Sequence, residues 1–203
     1  MVRLLVITVL KFNIVNLFFP SACAKMGTCM VVSTFTTHTA EDIAQATDGG
    51  LRWFQLHAVR DMEMNKELIL RAEKAGCKAI VITADAPTIG NRMRPATLPE
   101  DVLPAYFPRE YLFGGETPGE LTQEKIQQLA NKLLAPDLTW ETIDWFRSIT
   151  KLPILLKGIL TAEDALEALK HDIQGISVSN HGGRQLDGVP ATVSVVVSSP
   201  VCT

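Results

Sequence analysis

From about residue 26 the chain alternates short apolar runs with stretches of helical period. Residues 27–33 (GTCMVVS), 51–57 (LRWFQLH), 78–85 (KAIVITAD), 153–157 (PILLK) and 175–179 (GISVS) read as strands. Between them, residues 39–47, 63–75, 139–150 and 161–171 place apolar or small residues at helical spacing. Glu41 and Asp42 fall in the first turn of the first helix, and Gly76 stands where the second should be capped. Thr161 with Asp164 three residues on resembles a capping box. Strands apolar along their whole length, separated by helices, predict a parallel sheet covered by helices, so the fold class is α/β.

The pattern lapses between residues 86 and 138, which hold seven of the eleven prolines and the polar stretch 117–125. A loop of that length inside a domain is usually functional, and we read it as an insertion over one end of the sheet, with a short helix around 122–134. The first 24 residues pair a basic start with an apolar run and end A-C-A, the outline of a secretory leader. Lys11, Asn13 and Asn16 interrupt that run, and a divergent terminal segment, residues 1–21, is the preferred reading.

Length and composition change this picture little. The 203 residues suit one domain with a substantial core, and 47% hydrophobic with 20% charged residues is ordinary for a globular chain. A net charge of −3, with Lys and Arg scattered singly, gives no basis for a nucleic-acid partner, and the broken N-terminal apolar run gives none for a membrane span. Cys23, Cys29, Cys77 and Cys202 form no C-x-x-C pair and no zinc-ligand spacing. Cys29 and Cys77 lie in or beside apolar runs, where a thiol behaves as a small hydrophobe, and the chain reads as reduced, intracellular and without structural metal.

Each predicted strand ends in a polar group capable of chemistry: Ser33, Gln55, Thr83 with Asp85, Lys157, and Ser179 with His181. Taken singly, such a Ser or Thr is commonly a helix cap or turn former, and a lone Lys or His is commonly solvated. Their coincidence at successive strand ends is the informative feature, because β/α folds bind ligands at the carboxyl ends of strands. Gln55 and His57 are two apart, as are Thr83 and Asp85, so each pair shares a strand face. A barrel would converge these groups on one ligand, whereas a doubly wound sheet would spread them along a line. No G-x-G-x-x-G follows the first strand to support the second arrangement.

Residues 179–187, S-N-H-G-G-R-Q-L-D, resemble the signature of the FMN-dependent 2-hydroxyacid oxidases, a family that includes glycolate oxidase and long-chain hydroxyacid oxidase. The resemblance continues through residues 51–56, 78–87 and 152–160 and covers roughly 22–192. It implies a TIM barrel, FMN as cofactor, and oxidation of (S)-2-hydroxy acids to 2-oxo acids with O2 reduced to H2O2. It implies His181 as the base, and Asp85 as the carboxylate that pairs with the imidazolium and orients it. It implies Arg184, Arg92 and His57 as substrate contacts, a guanidinium being suited to a carboxylate. Lys157 is implied beside the flavin ring as a countercharge, and Ser33, Gln55, Thr83 and Ser179 as its hydrogen-bonding partners. A peroxisomal location, a place in fatty acid α-oxidation and homo-oligomers are implied likewise, although the chain ends V-C-T without a peroxisomal signal.

The chain also departs from the family pattern. His57 stands where the family usually has Tyr, Phe35 where glycolate oxidases have Trp, and Ala86 where Thr is common. Phe35 leans toward the long-chain type. Residues 1–20 replace the family's first strand, residues 193–203 are not expected to continue its next helix, and the segments that bind the FMN phosphate are absent. The expectation is therefore an incomplete barrel of about five strands. Two functions stay open: an FMN oxidase, or a truncated, inactive isoform that at most associates with full-length subunits.

Overall fold

Six parallel strands stand side by side in chain order: β1 (Leu4–Leu5), β2 (Cys29–Ser33), β3 (Arg52–Leu56), β4 (Ile80–Thr83), β5 (Ile154–Ile159) and β6 (Gly175–Val178). They are seen in a computed structural model that describes residues 4–5, 15–47, 49–91, 104–114 and 122–198. Helices α1 (Val15–Lys25), α2 (Ala40–Ala46) and α3 (Met62–Lys74) fill the first three crossovers. Between β4 and β5 run α4 (Arg109–Phe113), α5 (Gln123–Leu133) and α6 (Trp140–Ile149); α7 (Ala162–Lys170) joins β5 to β6, and α8 (Thr192–Ser198) follows. A doubly wound sheet reverses its strand order at a switch point, and no reversal occurs among the described strands. Consecutive, all-parallel order is that of an arc of a (β/α)8 barrel.

Strand alternation sorts the side chains into two faces. Val32, Phe54, Leu56, Ile80, Ile82, Ile154 and Leu156 join one core cluster with Ile43, Leu68, Ile69, Ile143 and Phe146 of the helices. The register pairs Val32 with Phe54, Leu56 with Ile82, and Ile82 with Leu156, so this apolar row is continuous across the sheet. The intervening positions, Ser33, Gln55, Thr83 and Lys157, therefore share the opposite face. Cys29 and Cys77 are buried, and burial pushes both thiols up to about 11, which leaves them as small apolar fillers.

Caps explain where the helices begin and end. Thr39 and Asp42 complete a reciprocal capping box at α2, and Thr122, Thr139 and Thr161 each accept a backbone N–H at the start of α5, α6 and α7. Each such cap stabilises its helix by about 1 kcal/mol. At the end of α3 the Cys77 N–H reaches the Ala72 carbonyl and the Gly76 N–H the Glu73 carbonyl, a Schellman motif that needs the left-handed φ of +84° at Gly76.

Three sequence expectations change. Leu4–Leu5 pairs in parallel with Cys29 and Met30, giving a sixth strand where the family's first was expected to be missing. Residues 192–198 are helical although Val-rich, so the chain does continue as a helix after β6; helix propensity is a weak prior, and α8 packs against β6. The segment 86–138 holds α4 as well as the expected α5, and it is anchored: the Tyr106 hydroxyl accepts the Ala40 N–H at 2.6 Å, and the Ala105 N–H donates to the Thr36 carbonyl.

Asn65, fully buried on α3, holds the loop after β3. Its side chain accepts the Val59 N–H at 2.9 Å and donates to the Val59 carbonyl at 2.7 Å. Replacing Asn65 by Ala strands both backbone groups in the interior, and should destabilise the fold by on the order of 3 kcal/mol. Urea unfolding at neutral pH measures this; an unchanged midpoint would show that the Val59 groups find other partners.

Candidate active site at the carboxyl ends of the strands

Parallel strands in register bring their C-terminal residues to one rim. Ser33 pairs with Gln55, and Thr83 with Lys157, in adjacent strands. All four residues are buried, between 2% and 9% exposed. Gln55 Nε2 donates to Thr83 Oγ1 at 2.9 Å. Ser33 Oγ accepts the Phe35 N–H, so part of its hydrogen bonding goes to the turn that leaves β2. Thr34, which the sequence reading passed over, fixes the neighbouring strand end: its hydroxyl donates to the Gln55 carbonyl at 2.7 Å and accepts the His57 N–H at 3.1 Å.

Asp85, Lys157 and His181 form the charged centre. Lys157 Nζ lies 3.2 Å from both carboxylate oxygens of Asp85, and His181 Nδ1 lies 2.9 Å from Oδ1. Burial pushes the Asp85 carboxyl up, but the His181 hydrogen bond and the Lys157 charge outweigh it and hold the group below the usual carboxylate range. An ionised carboxylate only accepts, so Nδ1 must carry a proton, and in the neutral imidazole Nε2 is then the acceptor. The Lys157–His181 approach, 3.3 Å from Nζ to Nδ1, is then a contact between two donors that share Asp85.

His181 itself sits at φ +57°, in the left-handed region, followed by Gly182 and Gly183 at +68°. Its N–H is held by Ser179 Oγ at 3.0 Å, so Ser179 shapes the loop that presents the ring. A His at positive φ is uncommon and occurs where the surroundings impose it, as in functional loops. Arg184 folds back from the same loop, its Nε donating to the His181 carbonyl at 3.2 Å. Gln185 ties that loop to the segment after β4, accepting the Gly90 N–H and donating to the Thr88 carbonyl. Arg92, the other expected carboxylate ligand, lies outside the described residues.

His57 stands beside this centre, its ring centroid 6.2 Å from that of His181 and 5.2 Å from that of Phe35. Phe107, from the anchored insertion, stacks on Phe35 at 6.0 Å and extends the apolar wall. Burial first, then the charges of His181 and Lys157, lower the His57 pKa to about 3, so the ring is neutral. Among the described residues its Nδ1 is buried without a partner. The structure thus gathers all the expected strand-end residues with described side chains on one rim, and adds Thr34, Phe107 and Gly158 to them. Gly158 had a readable signal, since a Gly inside a strand pattern suggests a bulge or a close backbone approach.

The geometry agrees with what comparison with known proteins finds. Residues 16–199 match the FMN-dependent dehydrogenase family, and the chain belongs to it. It is 44% identical over 179 residues to 2-hydroxyacid oxidase 2 of Homo sapiens, covering 86% of this chain and 48% of that protein. It is 40% identical over 178 residues to the peroxisomal (S)-2-hydroxyacid oxidase GLO3 of Arabidopsis thaliana, covering 86% of this chain and 47% of that one. The fold matches the crystal structure of mandelate oxidase with (S)-4-hydroxymandelic acid at a TM-score of 0.76 and 36% identity, over 90% of this chain and 53% of that one. The chain therefore spans about half the length of the curated relatives it matches. Its fold is part of the family's TIM barrel.

Whether the rim suits FMN can be tested on its own chemistry. Polar side chains buried among apolar strands are costly unless partnered, and here they present an amide, two hydroxyls and an ammonium side by side. A flavin ring, whose pyrimidine edge alternates donors and acceptors and becomes anionic on reduction, matches that set. The residues fit the ring end of the cofactor.

Proposed function

We propose that this chain carries the catalytic centre of an FMN-dependent (S)-2-hydroxyacid oxidase, converting 2-hydroxy acids to 2-oxo acids with O2 reduced to H2O2. The observation that carries the reading is the His181–Asp85 pair at 2.9 Å, because it puts a proton on Nδ1, so that in the neutral ring Nε2 is the proton acceptor at a strand-end rim. FMN, when bound, supplies the two-electron acceptor. Ser33, Gln55, Thr83 and Lys157 would hold it, with the Lys157 ammonium kept in place by Asp85 and available as a countercharge. Ser179 would serve the cofactor less directly, through the loop it braces.

The substrate's carboxylate would be bound by Arg184, and by Arg92, through paired guanidinium hydrogen bonds. His181 then receives the proton that the substrate loses, from the hydroxyl or from the α-carbon, and Asp85 stabilises the imidazolium that results. The neutral His57 ring lies beside this centre, in the place the family gives to Tyr. The Phe35–Phe107 wall favours an apolar substituent at the 2-position. A peroxisomal location, as for the Arabidopsis relative, and self-association belong to the same proposal.

The experiment is a visible absorption spectrum of the purified chain titrated with FMN, followed by anaerobic addition of a 2-hydroxy acid. We expect a flavin band that co-elutes with folded protein and bleaches on addition. Folded, soluble protein without bound flavin would instead favour the alternative, that these residues form an idle centre in a chain which acts, if at all, beside complete subunits.

A further inference from the structure

We infer that Gly158 is the positioning residue that assembles the Asp85–Lys157–His181 centre, an inference that rests on the oxidase reading for its consequences but not for its geometry. Gly158 has φ +109°, a backbone conformation that residues with a side chain rarely adopt. A Cβ built there would run into Asp85, touching its Cβ, coming within 2.6 Å of its Cγ and 2.8 Å of its backbone nitrogen. These are not the far ends of a flexible chain. They are the backbone and the carboxylate whose position decides the site.

The register shows why the chain needs this residue here. Lys157 pairs with Ser177 but Ile159 pairs with Val178, so two steps along β5 answer one along β6, with Gly158 as the bulged residue. Strict alternation would put Ile159 on the same face as Lys157. The bulge turns Ile159 instead into the helix-side core, 6% exposed beside Ile154 and Leu156. Lys157 thereby ends the inward row, and Asp85, two residues past Thr83, crosses over the bare glycine to meet it. The Ala84 N–H, bonded to the Lys157 carbonyl at 2.8 Å, fixes that crossing. A side chain at 158 displaces the one carboxylate that both Lys157 and His181 share.

The test reads the proton on His181 in the whole 203-residue chain without flavin or substrate. Imidazole 15N shifts of the wild type should show the Nδ1–H tautomer that an ionised Asp85 imposes. Gly158→Ala should lose that tautomer as the main form. Asp85→Ala should lose it equally, and the double variant should lose no more, because Gly158 acts through Asp85. Wild-type tautomer retained in folded Gly158→Ala, or further loss in the double variant, would overturn the assignment. Should Gly158→Ala fail to fold, an NOE from Gly158 Hα to Asp85 Hβ in the wild type supports the close approach, and its absence refutes it. Where the chain turns over, Gly158→Ala should cost about 10²-fold in rate, the usual consequence of a misplacement of about 1 Å. An inactive wild type in which the tautomer still depends on Gly158 would sink the oxidase reading and leave this one standing.

Discussion

Replacing His181 by Ala is expected to abolish anaerobic bleaching of bound flavin by a 2-hydroxy acid, slowing it by about 10²–10⁴-fold, the range a positioned general base supplies. The reason is local. His181 has the one imidazole at the rim whose Nδ1 is held by a carboxylate, at 2.9 Å, and the neutral His57 cannot replace it because its low pKa makes it a poor proton acceptor. The variant should keep its fold and its cofactor. Asp85 remains paired with Lys157 at 3.2 Å, so no buried charge is left alone, and none of Ser33, Gln55 or Thr83 depends on the His181 ring. Stopped-flow absorbance separates the two functions, since FMN affinity should persist while the reductive phase disappears. Bleaching at the wild-type rate would remove His181 from the base role.

That site was legible in the sequence to the extent that it depends on period. Gln55 with His57 and Thr83 with Asp85 are spaced by two, and the parallel register then carries Ser33 beside Gln55 and Thr83 beside Lys157. What spacing could not supply is contact between distant segments. Asp85 and Lys157 are 72 residues apart, and the family resemblance implied separate roles for them, one toward His181 and one toward the flavin ring. The structure makes Asp85 the common acceptor of both. Phe107 and Tyr106 were hidden for the same reason, since only the folded insertion brings them to Phe35 and Ala40.

The fold was legible where strands are uniformly apolar and failed where local preference is weak or misleading. β1 comprises only Leu4–Leu5, too short for a periodic signal, and is defined by its pairing with β2. The Val-rich run of α8 favours strand by composition, and its helical state belongs to tertiary context. The barrel, by contrast, was the expectation already, from polar strand ends that converge on one ligand and from the family resemblance, and the consecutive strand order agrees with it.

His57 should make the protein acid-sensitive already at pH values above those at which carboxylates titrate. Its pKa in the fold is about 3, against an ordinary histidine value of 6.5, because burial disfavours the charged ring and His181 and Lys157 add like charge. The folded state therefore refuses a proton that the unfolded chain accepts. The stability contributed by the neutral ring is complete above pH about 6.5 and falls by roughly 1.4 kcal/mol per pH unit as the pH drops toward 3. Asp85, held below its usual range, acts in the same direction but only where unfolded carboxylates begin to protonate, near pH about 4. Urea unfolding between pH 7 and 5 thus isolates the histidine. The wild type should lose about 2 kcal/mol more than His57→Phe over that interval, and equal losses would show that the ring is solvated or partnered. The same neutrality serves the chemistry. In the proposed reaction His181 becomes cationic as it takes the substrate's proton, and a charged imidazole 6.2 Å away would oppose it. Burial against Phe35 keeps that second charge from forming, at the cost of stability in acid.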